Sequence, residues 1–305
     1  MFECIRTWKG LGRIYNIWLG PTPESFFAVG EIFSDSVNEY RVTECRMSDE
    51  NPNKNLLEGK FENSTFVSLA PKSNLIASHN RNTIEVWDLT TQAKVSEFNN
   101  HGRIIHSSFV GNDGESIFIS FNDGFTWAWN LNKNRLLYTF SAILSIHSRC
   151  FVLSPNKNMI VAADYENRGF IKAWSYSTGE ELWNIDLSSY SIEYVMSLAL
   201  VESLNILVIS SPQGHIIFWD ILAGQSVRSI QSGEAIETAV WDKHDNLLII
   251  GNRYGNIRIL DLNNHKDALL ISAHGQSRIE AISIVDEHKF VSAGWHGTLK
   301  LWSKQ

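Results

Sequence analysis

The chain has 305 residues, 44% of them hydrophobic and 11% aromatic, with 11 Trp, 6 Pro and a formal net charge of -7. That composition excludes a disordered or low-complexity chain and leans toward strands, because Pro is sparse while Ile and the aromatic residues are abundant. The acidic total argues against non-specific affinity for nucleic acid or anionic membrane, although a local basic patch can hide inside the sum.

At the N-terminus, residues 1–10 lack the apolar stretch of a signal peptide, and no apolar run approaches the roughly 18 residues of a membrane span. The expectation is an intracellular, cytoplasmic protein, with the nucleus also open. Cys4, Cys45 and Cys150 are too few and too scattered for a disulfide framework or a zinc site. They read as buried thiols of a reducing compartment, with no metal or cofactor implied.

Along the chain a turn is repeatedly followed by alternating apolar residues and a closing Trp. The segments are Asn82-Thr83-Ile84-Glu85-Val86-Trp87-Asp88, Gly124-Phe125-Thr126-Trp127-Ala128-Trp129-Asn130, Gly169-Phe170-Ile171-Lys172-Ala173-Trp174, Gly214-His215-Ile216-Ile217-Phe218-Trp219-Asp220, Gly255-Asn256-Ile257-Arg258-Ile259-Leu260-Asp261 and Gly297-Thr298-Leu299-Lys300-Leu301-Trp302. Their closing positions, 87, 129, 174, 219, 260 and 302, are 41 to 45 residues apart, and one more step back reaches Cys45. Seven units result. A period of this length fits four short strands with tight turns, one blade of a β-propeller. Period-two alternation with Gly or Asn at each turn excludes helical pairs. Apolar runs before each turn, such as 206–209 and 247–250, read as strands buried on both faces.

Unit seven stops at Gln305, short of an outer strand, while residues 2–10 match outer strands elsewhere, for example 93–98 and 225–230. The N-terminal strand is therefore expected to complete the C-terminal blade and remove an open edge. The expected organisation is one all-β domain over 1–305, with blades near 10–61, 62–98, 99–140, 141–187, 188–230, 231–272, and 273–305 plus 1–9.

Trp87-Asp88 and Trp219-Asp220, the weaker Trp129-Asn130 and Leu260-Asp261, and the His-Gly pairs at 101–102 and 274–275 give the chain a resemblance to the WD40-repeat family over its whole length. It departs from the family pattern at the turn position six residues before Trp. Asp123 fits, but the other units carry Glu39, Arg81, Arg168, Gln213, Tyr254 and His296. The His-Ser-Asp-Trp hydrogen-bond tetrad of such blades is thus expected to be mostly missing, and stability to rest on packing.

The resemblance implies that partners dock on the top face, through residues at the start of each innermost strand and the residue before the tight turn. By spacing these are Arg13, Tyr15 and Asn38; Asn63, Thr65 and Asn80; Arg103, Ile105 and Asn122; His147, Arg149 and Asn167; Tyr194, Met196 and Pro212; Ala235, Glu237 and Arg253; and Arg278, Glu280 and Trp295. Five Arg face two Glu in this set, a local excess of +3 in a protein of net -7. The candidate partner-binding residues are Arg13, Tyr15, Arg103, His147, Arg149, Tyr194, Glu237, Arg253, Arg278, Glu280 and Trp295. Trp and Arg are enriched at interface hot spots, and Trp295 beside a tight turn is the sharpest single case.

No nucleophile elbow, phosphate-binding loop, zinc-protease motif or dinucleotide turn is present. The expected function is a non-catalytic scaffold that binds a protein or peptide with an acidic segment, as a subunit of a larger complex. Two other readings stay open. One is a small-molecule or sugar-binding propeller, possibly hydrolytic, with its site in the central channel. The other is nucleic-acid binding through the Arg set, which needs an extended positive field.

Overall fold

The computed structural model describes the chain except residues 1, 21, 23, 34–37, 49–53, 57–65, 71–72, 80–81, 100, 112, 145–149, 165–168 and 264–265. It holds seven four-stranded antiparallel sheets, the blades of a seven-bladed β-propeller, and no α-helix among the described residues. Contacts group residues 1–32, 42–54 and 192–305 into one compact unit and residues 33–41 and 55–191 into another.

In the first unit lie blade five (Ser197–Val201, Ile206–Ser210, His215–Asp220, Gln225–Gln231) and blade six (Ile236–Asp242, Leu247–Asn252, Asn256–Asp261, Lys266–Ser272). Blade seven follows, with Ile279–Asp286, Lys289–Gly294, Thr298–Lys304 and, as its outer strand, Phe2–Trp8. Most of blade one (Arg13–Leu19, Ser25–Phe33, Asn38–Arg46, Lys54–Leu56) completes the unit. Carried by the second unit are blade two (Phe66–Ala70, Leu75–His79, Thr83–Asp88, Lys94–Asn99) and blade three (Ile105–Val110, Ser116–Phe121, Phe125–Asn130, Arg135–Ser141). Its third sheet is blade four (Phe151–Ser154, Met159–Ala163, Phe170–Ser175, Glu181–Asp186).

The apolar runs behave as a strand packed on both faces must. Every residue of Leu75–His79, Ser116–Phe121, Met159–Ala163, Ile206–Ser210 and Leu247–Asn252 is buried. Outer strands such as Gln225–Gln231 alternate with solvent instead. Of the closing residues, Trp87, Trp174 and Trp302 are buried, whereas Trp129 and Trp219 are only partly so. Their packing contribution is smaller than a uniform reading of the repeat suggests.

The N-terminal strand closes blade seven as the sequence implies. Phe2 pairs with Lys304 and Trp8 with Leu299, and a bulge between Cys4 and Arg6 turns Ile5 outward, 53% exposed. Trp8, 1% exposed, meets Phe26 edge to face at 5.3 Å, and Phe2 meets Phe290 at 5.2 Å. Just beyond, Gly297 has a φ of 76°, and a Cβ there would collide with the carbonyl oxygen of Gly12, so the turn of blade seven tolerates only glycine against that segment.

Blade seven also retains three members of the tetrad. The Trp302 Nε1–H donates to Ser292 Oγ at 2.8 Å, and Ser292 Oγ lies 2.7 Å from His274 Nε2. His296 stands where the family places Asp, and His274 Nδ1 is buried without a hydrogen-bond partner among the described residues. Burial, then the Lys300 charge, pushes the His274 pKa down to about 4. A folded value below the unfolded one means stability present above pH 6.5 that is lost as pH falls toward 4, on the order of 3 kcal/mol from this residue. His79, pushed down to about 3 mainly by burial, acts in the same direction. Thermal melting between about pH 7 and pH 4.5 is expected to show this loss, with a shallower slope in His274→Asn.

Candidate partner-binding site

Three consecutive blades of the first unit share one irregularity. Innermost-strand register slips between Ile236 and Thr238, between Ile279 and Ala281, and between Ile14 and Asn16. The residues skipped are Glu237, Glu280 and Tyr15. A bulge leaves one residue unpaired and re-aims its side chain, so each of the three turns away from the ladder at an equivalent place.

Glu237 and Tyr15 then find partners across their own blades, and Glu280 finds one at the start of its own strand. Glu237, 2% exposed, takes the Arg253 Nε–H at 3.0 Å, while the Arg253 side chain is 61% exposed. Glu280, also 2% exposed, pairs with Arg278. The Tyr15 hydroxyl donates to the buried Glu31. Burying a carboxylate is tolerable only when a cation and hydrogen bonds replace its water.

Trp295 gathers the rest. Its indole has the Arg13 guanidinium 4.0 Å and the Arg278 guanidinium 4.3 Å from the ring centroid, and the Tyr15 ring meets it edge-on at 5.6 Å and 87°. The backbone N–H of Trp295 donates to the Arg278 carbonyl at 2.8 Å, tying the turn to the strand start. Trp295 itself is partly buried. Arg13, Tyr15, Glu280, Arg278 and Trp295 thus form one cluster. Glu237 and Arg253 form the corresponding pair in blade six, next to Tyr254, which is 63% exposed. Tyr194 is 38% exposed in the segment leading into blade five.

Arg103 sits differently. Its Nε and Nη2 fork onto both oxygens of Asp123 at 2.6 Å each, and its guanidinium lies 4.1 Å from the Phe121 ring and 4.8 Å from Trp127. In blade three the bulge falls between Ile105 and Ser107, so the equivalent of Glu280 is His106, one residue beyond the position that spacing assigns. Burial lowers the His106 pKa, and neighbouring His79 reaches Ser108 Oγ at 3.0 Å. His147 and Arg149 lie outside the described residues, as do Asn63, Thr65, Asn80 and Asn167.

Counting Arg against Glu at these positions gives +3, but the side chains are not independent charges. Arg103, Arg253 and Arg278 each already pair with a carboxylate. Asp123 and Glu31 escape a reading confined to the docking positions, and Glu31 had a visible signal, a lone charge inside the apolar strand Ser25–Phe33. Among the described residues no three His, Cys, Asp or Glu could hold a metal ion, and no helix is long and apolar enough to cross a membrane.

No family model matches the chain. It is similar to the U3 small nucleolar RNA-associated protein 21 homolog of Schizosaccharomyces pombe, 24% identical over 185 residues, which is 59% of this chain and 20% of that protein. It is also similar to the small ribosomal subunit protein RACK1y of Oryza sativa subsp. japonica, 30% identical over 92 residues, 30% of this chain and 26% of that one. The similarity therefore spans about a fifth to a quarter of each relative's length.

Proposed function

We propose that this WD40-type propeller is a non-catalytic interaction subunit that binds a protein or peptide segment at the Trp295 cluster of blades seven and one. The observation that supports this most is the preorganised indole, with two guanidiniums against it and the Tyr15 ring at its edge. Such a group adds buried area at little further loss of side-chain freedom. Both similar proteins are WD40-type, and their names place one in the small ribosomal subunit and associate the other with the U3 small nucleolar RNA. Membership of a larger assembly is what we carry over to this chain.

The segment we infer is acidic, with an apolar or aromatic anchor. Glu237 and Glu280 are 2% exposed while the Arg253 and Arg278 side chains are 61% and 34% exposed, so the carboxylates lie beneath and the cations outward. An approaching carboxylate meets guanidinium edges first. The same pairing weighs against the nucleic-acid reading, which needs uncompensated cations. It also weighs against a hydrolytic site built on Glu237 and Glu280, whose charges are already engaged.

Affinity purification of the tagged chain, followed by binding kinetics with the protein that co-purifies, tests the assignment. Trp295→Ala is expected to speed dissociation at least about tenfold, and Arg13→Glu to slow association in a salt-dependent way. Affinity unchanged within about twofold in both variants would move the site elsewhere, with Tyr194, Arg253 and Tyr254 the next group to test.

A further inference from the structure

Between blades two and three, inside the second unit, the core is left open. A cavity of about 320 Å³ is lined by the buried Ile84, Ile105, Ile119, Phe121 and Phe98 and by the partly buried Trp127 and Trp129. We propose that this cavity is a second binding site, unrelated to the Trp295 cluster, and that it takes an arginine side chain from a partner segment.

The aromatic geometry is the first argument. Trp127 and Trp129 project from the same face of Phe125–Asn130, their ring centroids 6.5 Å apart and their planes within 19° of parallel. The two indoles therefore turn nearly parallel faces along one side of the cavity, a surface on which a planar cation can lie flat. Neighbours hold the rings in place. Phe98 meets Trp129 edge-on at 5.4 Å, Phe121 meets Trp127 at 4.8 Å, and the Trp129 Nε1–H donates to Asn134 Oδ1 at 3.3 Å.

Charge is the second argument, and it separates a guanidinium from an aromatic ring. Glu97 lines the cavity, and it shares a single ammonium, Lys94, with Glu85 at 2.5 and 3.1 Å. Two carboxylates with one cation leave a negative excess at that wall among the described residues. A cation placed against aromatic faces beside a carboxylate gains from both. The chain itself supplies a precedent, since the Arg103 guanidinium already lies against Phe121 and Trp127, with its charge met by Asp123. Phe121 and Trp127 also line the cavity, together with Phe98 and Trp129, which Arg103 does not cover.

The test uses the intact chain labelled with fluorotryptophan and three capped tripeptides, acetyl-Gly-X-Gly-amide with X as Arg, norleucine or Phe. Fluorine signals of Trp127 and Trp129 are assigned from Trp127→Phe and Trp129→Phe. The Arg peptide is expected to shift both signals and to bind about tenfold more tightly than the norleucine peptide. Glu97→Gln, a change at a half-exposed side chain, is expected to weaken it severalfold without altering the melting midpoint. Equal binding of the norleucine or Phe peptide would show a merely apolar pocket and overturn the proposal. So would Arg binding that Glu97→Gln leaves unchanged, or signals that stay fixed up to about 10 mM of the Arg peptide, far above the affinity expected of a built cation site.

Discussion

Deletion of residues 1–8 is expected to lower the melting midpoint far more than the loss of eight terminal residues ordinarily does, and to yield an aggregating protein. Trp8 and Phe2 are anchors of two different core clusters, one with Ile14, Phe26 and Val291 and the other with Phe290, Trp302 and Ile257. Removing a buried aromatic side chain costs about 3 to 5 kcal/mol, and here two go together. The strand Thr298–Lys304 also loses the ladder that runs from Phe2 to Trp8, exposing a row of unpaired backbone groups ready to pair with another chain. Trp8→Ala isolates the packing part and is expected to cost about 3 to 5 kcal/mol without aggregation. A truncated protein with an unchanged midpoint and a monodisperse profile by light scattering would refute the clasp.

The reason this feature is legible in the sequence is that it depends on period and pattern alone. Spacing of the closing residues and the match between residues 2–10 and other outer strands carry the whole argument. What lies at the rim was harder to read. A one-residue bulge shifts every later side chain of its strand by a step, and nothing in Ile104-Ile105-His106 marks where the chain bulges, so Ile105 stood where His106 belongs. In blades six, seven and one the same spacing lands on the bulged residue itself, Glu237, Glu280 and Tyr15.

Charge was the second place where the sequence misled. Partners that neutralise an Arg come from elsewhere in its blade: Asp123 reaches Arg103 from 20 residues away, and Glu237 reaches Arg253 from 16. A formal sum over docking positions cannot register this. The tetrad is expected to be mostly missing where the turn Asp is absent, and blade seven is an exception. In blade seven the His274, Ser292 and Trp302 contacts persist without it, with His274 kept neutral by burial.

These pairings change what a substitution at Arg278 reports. Arg278→Ala removes the cation that faces Glu280, a carboxylate 2% exposed, and breaking a buried pair from one side costs about 3 to 5 kcal/mol. Arg278→Glu costs more, since it sets a second negative charge against the first. If the partner docks on the Trp295 cluster as proposed, either variant is expected to weaken binding by loosening the strand start that carries Trp295, and a slower association rate there would not separate steering from misfolding. Arg278→Met combined with Glu280→Met removes the charge pair symmetrically and is expected to recover most of the stability lost in Arg278→Ala. Urea unfolding of the three variants decides the matter. If Arg278→Ala costs under about 1 kcal/mol, the pair is effectively solvated and Glu280 is not a structural anchor. If the cost is large and the double Met variant recovers it, Glu280 serves to hold Arg278 against Trp295. Any further loss of partner affinity in that folded double variant then measures what the second guanidinium gives to recognition.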